Sequence, residues 1–146
     1  MAEPLVLGLG NAMRGDDGVG AAVARALGAR AHPGDMAGLL DELARTRHAV
    51  LIDASVSGAA PGTVRRFDAA DGPLPAAVLR VSSHGAGLAE ALEMARALDQ
   101  MPPRCVVYAI EGAVFDHGAP LSPAVAAVVG DVAARIRAEL KETTDA

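Results

Sequence analysis

The sequence predicts an α/β protein: a single domain over residues 1–146 in which helices cover both faces of a mostly parallel sheet, giving three layers. Continuous apolar runs at residues 5–9, 49–53 and 105–110 are typical of strands buried on both faces. Segments with apolar residues at helical spacing alternate with these runs. The length of 146 residues fits one hydrophobic core.

The remaining elements follow from apolar spacing and from local start and stop signals. Either aspartate of the Asp16–Asp17 pair is placed to cap the first helix, and Ser122 followed by Pro123 is typical of the start of the last one. We therefore expect helices around residues 19–30, 39–43, 88–98 and 122–140, and a short strand nearer an edge at residues 64–68.

Composition excludes several classes of function. The aromatic fraction of 2% and the net charge of -5 argue against a nucleic acid partner, which needs stacking surfaces and positive charge. No apolar segment approaches the length of a membrane span, and Glu3 lies where a signal peptide would carry positive charge. Cys105 is the only cysteine and lies in an apolar run, so we expect a small core residue in a cytoplasmic protein.

A glycine-rich turn follows the first strand, in the stretch "GLGNAMRGDDGVG" at residues 8–20. Such turns usually hold phosphate on their backbone N–H groups. Here the dinucleotide-binding fingerprint fails at its third glycine, which is Met13, and the P-loop lysine is replaced by Asp16. A small nucleotide-binding domain is therefore an alternative that rests on this turn alone.

Three side chains at strand ends are candidates for chemistry. One aspartate of the Asp16–Asp17 pair suffices as a helix cap, which leaves the other free. Asp53 ends the second buried strand, and His84 precedes a helix. Each also has an ordinary structural use, as a cap, a turn residue or a surface histidine. Together at one edge of a parallel sheet, two carboxylates and an imidazole can bind a divalent ion and leave coordination positions open.

On several separate segments the sequence resembles the hydrogenase maturation proteases, which trim the C-terminal tail of the large subunit of nickel–iron hydrogenases. The matching stretches occur in family order and span nearly the whole chain: "LVLGLGNAMRGDDGVG", "VLIDASVSG" with "APGTV", "SSHGAGLAEAL" and "VVYAIEGAVFDHGAPLSPAV". The resemblance implies that Asp17, Asp53 and His84 contact a metal and carry catalysis, with Asp16 as a cap or supporting residue.

The resemblance also implies the reaction. In that family the metal is nickel already installed in the large-subunit precursor, so we expect an endopeptidase that cuts a nickel-loaded substrate. A shared metal can polarise the scissile carbonyl and lower the pKa of a bound water. Asp16, Asp17 and Asp53 are each candidates for the proton acceptor.

One segment departs from the family pattern. Between the first helix and the second buried strand, family members have another strand and a glycine–threonine turn, but "GARAHPGDMAGLLDEL" is too short and too polar for them. Gly34 and Asp35 are the expected remnants of the turn, and a sheet lacking this strand is predicted. A non-catalytic module that binds a metal-loaded partner is therefore an alternative function.

The other polar residues favour ordinary roles. We expect His32 and His48 to face solvent, His117 to be a turn residue, and Glu111 at the end of a strand to be solvated. Arg14 in the glycine-rich turn is a candidate partner for an aspartate or for a substrate carboxylate.

Overall fold

The computed structural model describes residues 3–75 and 87–145. They contain one five-stranded sheet in the order β2-β1-β3-β5-β4. All neighbouring strands are parallel except β4, which runs antiparallel to β5. The strands are β1 (Leu5–Leu9), β2 (Arg30–His32), β3 (His48–Ser55), β4 (Val64–Asp68) and β5 (Arg104–Glu111). The predicted α/β class with a mostly parallel sheet is confirmed.

Helices cover both faces of this sheet. They are α1 (Val19–Leu27), α2 (Met36–Ala44), α3 (Leu88–Ala97), α4 (Pro123–Ala126) and α5 (Val129–Asp145). Alternate residues of β3 point to opposite faces: Leu51 packs in a cluster with α2 and α3, and Ile52 packs in a second cluster with α1 and α5. The three-layer arrangement follows from these two clusters.

The segment expected to lack a strand contains β2, so that prediction is wrong. β2 has three residues and pairs only with β1, between Leu7 and Arg30, Gly8 and Ala31, and Leu9 and His32. A strand at the sheet edge with one neighbour tolerates exposed polar residues, which is why its composition concealed it. After β2, Gly34 takes a φ of 88° and Asp35 caps α2 by accepting a hydrogen bond from the Gly38 N–H at 2.8 Å.

The last helix also differs from its prediction. Residues 122–140 were expected to form one helix, but α4 ends at Ala126 and α5 begins at Val129. Ser122 is the N-cap residue of α4, yet its side chain makes no capping hydrogen bond. The Ser122 hydroxyl donates instead to Asp16, 106 positions earlier in the chain.

Among the helices of residues 3–75 and 87–145, none combines the length and the apolar character that crossing a bilayer requires.

Helix α1 lies directly on the sheet because two glycines leave room for it. A Cβ at Gly8 would collide with the carbonyl oxygen of Gly20, and a Cβ at Gly20 would lie 2.5 Å from the carbonyl oxygen of Ile52. This close approach fixes the first turn of α1, and the residues just before it, over the ends of β1 and β3.

Replacing Gly8 by alanine is therefore expected to destabilise the fold by about 3 kcal/mol or more, because the obstruction is backbone and cannot rotate away. Urea unfolding followed by circular dichroism measures the change. Gly130→Ala is the matched control, since a Cβ at Gly130 in α5 meets nothing within 4 Å. That variant should be stabilised by roughly 0.5 kcal/mol through reduced freedom of the unfolded chain. Equal stability of the two variants would contradict the packing argument.

Candidate active site

The carboxyl ends of β1, β3 and β5 meet at one edge of the sheet, where open α/β sheets collect their ligands. The glycine-rich turn follows β1 there and ends in a 3₁₀ turn, Gly15–Gly18, before α1 begins. A second loop follows β3, and a third follows β5 over residues 112–122. The sequence-predicted residues Asp17 and Asp53 lie at this edge.

Asp17 belongs to the 3₁₀ turn and is buried. Its Oδ2 accepts a hydrogen bond from the Asn11 N–H at 3.0 Å and lies 3.5 Å from Nη1 of Arg14. The N-cap residue of α1 is Gly18, with no side-chain capping bond. The expectation that Asp16 or Asp17 caps this helix is therefore wrong, whereas the pairing of Arg14 with an aspartate is confirmed.

Asp53 lies near the carboxyl end of β3 and is half-buried. Its Oδ1 accepts a hydrogen bond from the N–H of the next residue, Ala54, at 2.9 Å. Burial and then the charge of Asp17 raise the pKa of Asp53 to about 7, and the bond from Ala54 only partly opposes them. The two carboxylates are therefore close enough to repel each other.

The third predicted ligand, His84, lies outside the described residues. Within residues 3–75 and 87–145, no group of three His, Cys, Asp or Glu side chains is arranged to hold a metal ion. Metal contact by Asp17, Asp53 and His84 stays a prediction. The carboxylates of Asp17 and Asp53 repel each other, and a pair of oxygen donors in this arrangement suits a divalent cation.

Asp16 has a larger structural role than the sequence indicated. Its side chain is fully buried and accepts four hydrogen bonds, from the N–H groups of Ala113, Val114 and Ser122 and from the Ser122 hydroxyl, at 2.7–2.9 Å. Burial acts to raise the pKa of Asp16, but the bonds from these residues outweigh it and hold the pKa below its ordinary value. The ionised Asp16 carboxylate thus joins the glycine-rich turn to the loop after β5.

Backbone hydrogen bonds also join the glycine-rich turn to the loop after β5. The Asp16 N–H donates to the Val114 carbonyl at 2.7 Å, and the Gly118 N–H donates to the Met13 carbonyl at 2.6 Å. The Gly15 N–H donates to Ala119 at 3.1 Å. The two loops therefore behave as one unit beside Asp17.

The carboxylate of Glu111 holds the loop after β3 in the same way. The prediction that Glu111 is solvated is therefore wrong. Glu111 is buried and accepts bonds from the Ser55 hydroxyl, from the N–H and hydroxyl of Ser57, and from the Gly58 N–H, at 2.7–3.2 Å. Burial acts to raise the pKa of Glu111, but the hydrogen bonds from Ser57, Ser55 and Gly58 outweigh it and hold the pKa below its ordinary value. The hydroxyl-rich stretch "SVSG" after Asp53 was the signal for this role.

Two histidines within the described residues, His32 and His48, are half-buried, and a third, His117, is exposed. His32 is half-buried and its Nδ1 accepts from the Gly34 N–H at 2.9 Å. His48 was expected to face solvent, but it is half-buried and burial, followed by the charge of Arg104, lowers its pKa. His117 is exposed in the loop after β5, as predicted.

Cys105 is confirmed as a core residue. It is fully buried in β5, and burial raises the pKa of its thiol to about 12. A thiol with this pKa is not a nucleophile at neutral pH.

A groove of about 290 Å³ opens beside the glycine-rich turn. Its walls come from that turn, from α1, from the end of β2 and from the residue after β2: Gly10, Asn11, Ala12, Ala21, Ala31, His32 and Pro33. The presence of β2 therefore completes one wall of the groove.

The sequence and the fold of this chain are similar to those of known proteins. The family model described as hydrogenase maturation protease matches residues 34–139. The chain is 29% identical to the [NiFe] hydrogenase maturation protease HybD from Thermococcus kodakarensis, with 95% of this chain and 99% of that one covered and a TM-score of 0.72. The hydrogenase maturating endopeptidase HybD from E. coli shares 24% identity over 97% and 94% of the chains, with a TM-score of 0.78. No curated protein matches the chain.

Replacing Asp16 by asparagine is expected to destabilise the protein by about 3 kcal/mol, because an amide NH₂ would face donors that now meet carboxylate oxygens. Urea unfolding at pH 7 measures the change, with the exposed Asp71→Asn as matched control. Because the pKa of Asp16 is lowered in the fold, its contribution is complete above the unfolded pKa and is lost as the pH falls through the folded one. The difference between wild type and variant should therefore shrink in acid, and a constant difference would contradict this account.

Asp53→Asn is expected to have the opposite effect. The pKa of about 7 in the fold lies above the ordinary 3.8, so the fold holds a proton that the unfolded chain releases between these values. Stability is thus lost as the pH rises through that window. The variant should melt at a higher temperature than wild type at pH 8 and at a similar one near pH 4, by calorimetry without added metal. A pH-independent difference would show that Asp53 is not destabilised by burial and by Asp17.

Proposed function

Because the chain belongs to the hydrogenase maturation protease family, we propose that it is the endopeptidase that removes the C-terminal tail of a nickel-loaded hydrogenase large-subunit precursor. The match over residues 34–139 supports a maturation protease, and the fold is that of the solved maturation proteases. The substrate, its nickel and a cytoplasmic location are the further steps of the proposal.

The pair of carboxylates at the sheet edge carries this proposal. Burial and the charge of Asp17 raise the pKa of Asp53. A cation that binds between the two carboxylates would relieve their repulsion. Nickel(II) accepts both oxygen and imidazole donors, and His84 is the proposed third ligand. The residues then serve as a checkpoint, because a precursor without nickel leaves the repulsion between Asp17 and Asp53 in place.

Among the candidate proton acceptors, Asp16 is the least suited. Both of its oxygens accept hydrogen bonds, and its pKa is below the ordinary value. Asp17 and Asp53 are the remaining candidates. The substrate's nickel would supply polarisation of the scissile carbonyl and a more acidic bound water.

The two alternatives lose their motivation. The non-catalytic binding module rested on a missing strand, and β2 is present. Nucleotide binding rested on free N–H groups in the glycine-rich turn, but the Gly10 N–H donates to the His32 carbonyl and the Asn11 N–H donates to Asp17. Neither donor is available to a phosphate.

Incubation with the large-subunit precursor from the same organism is expected to remove a C-terminal peptide from the nickel-loaded form and leave the nickel-free form unchanged. The physical reason is that only nickel compensates the Asp17–Asp53 pair and activates the peptide bond. Intact mass spectrometry of the precursor before and after incubation measures the loss. Equal cleavage of both forms would contradict the checkpoint, and an unchanged mass of the folded nickel form would contradict the protease activity.

Substitutions test whether Asp17 and His84 carry the processing reaction. Asp17→Asn and His84→Ala should each reduce processing by at least a hundredfold, while Asp71→Asn, an exposed aspartate, should process like wild type. Circular dichroism confirms that each variant is folded. A folded His84→Ala protein with normal processing would remove His84 from the mechanism.

A further inference from the structure

Within residues 3–75 and 87–145, the loops that follow β1, β3 and β5 near Asp17 and Asp53 each expose a large apolar side chain. Met13 in the loop after β1 is 61% exposed, Val56 in the loop after β3 is 44% exposed, and Val114 in the loop after β5 is 37% exposed. We name these three residues the apolar rim. Single exposed apolar residues are ordinary, but one on each successive loop at the same edge is a pattern.

The rim residues are held in place rather than carried on free loop tips. The carbonyl of Met13 accepts from the Gly118 N–H at 2.6 Å, and the carbonyl of Val114 accepts from the Asp16 N–H at 2.7 Å. Val56 lies between Ser55 and Ser57, which both donate to the buried Glu111. Backbone hydrogen bonds at Met13 and Val114, and the buried Glu111 carboxylate beside Val56, therefore hold three residues whose exposed apolar side chains do not stabilise the folded monomer.

A third connection joins the loops to each other. The Gly112 N–H donates to the Ser55 carbonyl at 3.0 Å, linking the loop after β5 to the loop after β3. All three rim residues thus belong to one hydrogen-bonded frame around the site. A preformed frame lowers the entropy cost of binding a partner, because few side chains must be ordered at that moment.

We propose that the apolar rim is the docking surface for the folded body of the protein substrate, and that it takes an apolar surface segment next to the cleavable tail. This inference rests on the proposed function, because the rim is continuous with the site that the tail must reach. Interface cores are depleted in charge and enriched in methionine, which fits Met13 at the most exposed position.

The test measures binding and processing separately. Met13→Ser and Val114→Ser are prepared, with Met94→Ser as the matched control; Met94 is 43% exposed but lies in the second half of α3, which leads to the opposite edge of the sheet. Kd for the nickel-loaded precursor is measured by interferometry in the Asp17→Asn background, where cleavage is suppressed. KM and kcat for processing are measured in the wild-type background.

Each rim variant is expected to weaken Kd and raise KM about fivefold to tenfold, with kcat unchanged, whereas Met94→Ser should change neither by more than about twofold. Met13→Leu, which keeps the apolar surface, should restore binding. Unchanged Kd and KM in the rim variants, or equal weakening by Met94→Ser, would overturn the proposal that the rim docks the substrate.

Two further outcomes separate the proposals. Loss of binding in the rim variants, with a wild-type protein that binds but does not cleave, would support the docking surface and refute the protease activity. A wild-type dimer in analytical ultracentrifugation that Met13→Ser dissociates, with unchanged precursor binding, would assign the rim to a second copy of this chain and overturn the substrate docking.

Discussion

The site depends on the buried carboxylate of Asp16. Four donors from the loop after β5 converge on it, and the residue next in sequence is Asp17. The position of one candidate ligand is thereby set by contacts nearly a hundred residues away along the chain. Because an unpaired buried charge would cost several kcal/mol, the loop cannot leave Asp16 without a compensating change. Asp17 is therefore presented on a rigid turn, although it follows a glycine-rich stretch.

The scaffold beneath this turn accepts an unfavourable charge pair. Asp17 and Asp53 both lie at the sheet edge, and burial, together with the charge of Asp17, raises the pKa of Asp53 to about 7. Such a pair can persist only where the backbone cannot relax away from it. The close contact of α1 with the sheet at Gly8 and Gly20 provides that restraint. Stability is thus reduced locally at the position where a cation would restore it.

The sequence was most informative where structure is determined by neighbours in the chain. The buried strands β1, β3 and β5 were predictable from continuous apolar runs, and Asp53 from its place at a strand end. β2 was not, because a three-residue strand at the sheet edge, with polar residues at both ends, is defined by its pairing with β1. The role of Asp16 was equally hidden, and for Glu111 the hydroxyl-rich stretch after Asp53 indicated donors without indicating which carboxylate they bind. The partners of Asp16 and Glu111 are Ser122 and Ser57, 106 and 54 positions away, and no local pattern records such distances.

Four carboxylates at this edge show why residue type alone could not assign them. Asp16 and Glu111 are buried among N–H and hydroxyl donors, which lower their pKa values, so both are ionised and structural. Asp53 receives one backbone bond and faces another carboxylate, so its pKa moves the opposite way. A group with satisfied hydrogen bonds has little further affinity for a cation, whereas one in unrelieved repulsion has much. The supply of donors from the surrounding loops therefore separates Asp16 and Glu111, which hold the site together, from Asp17 and Asp53, which are the candidate ligands.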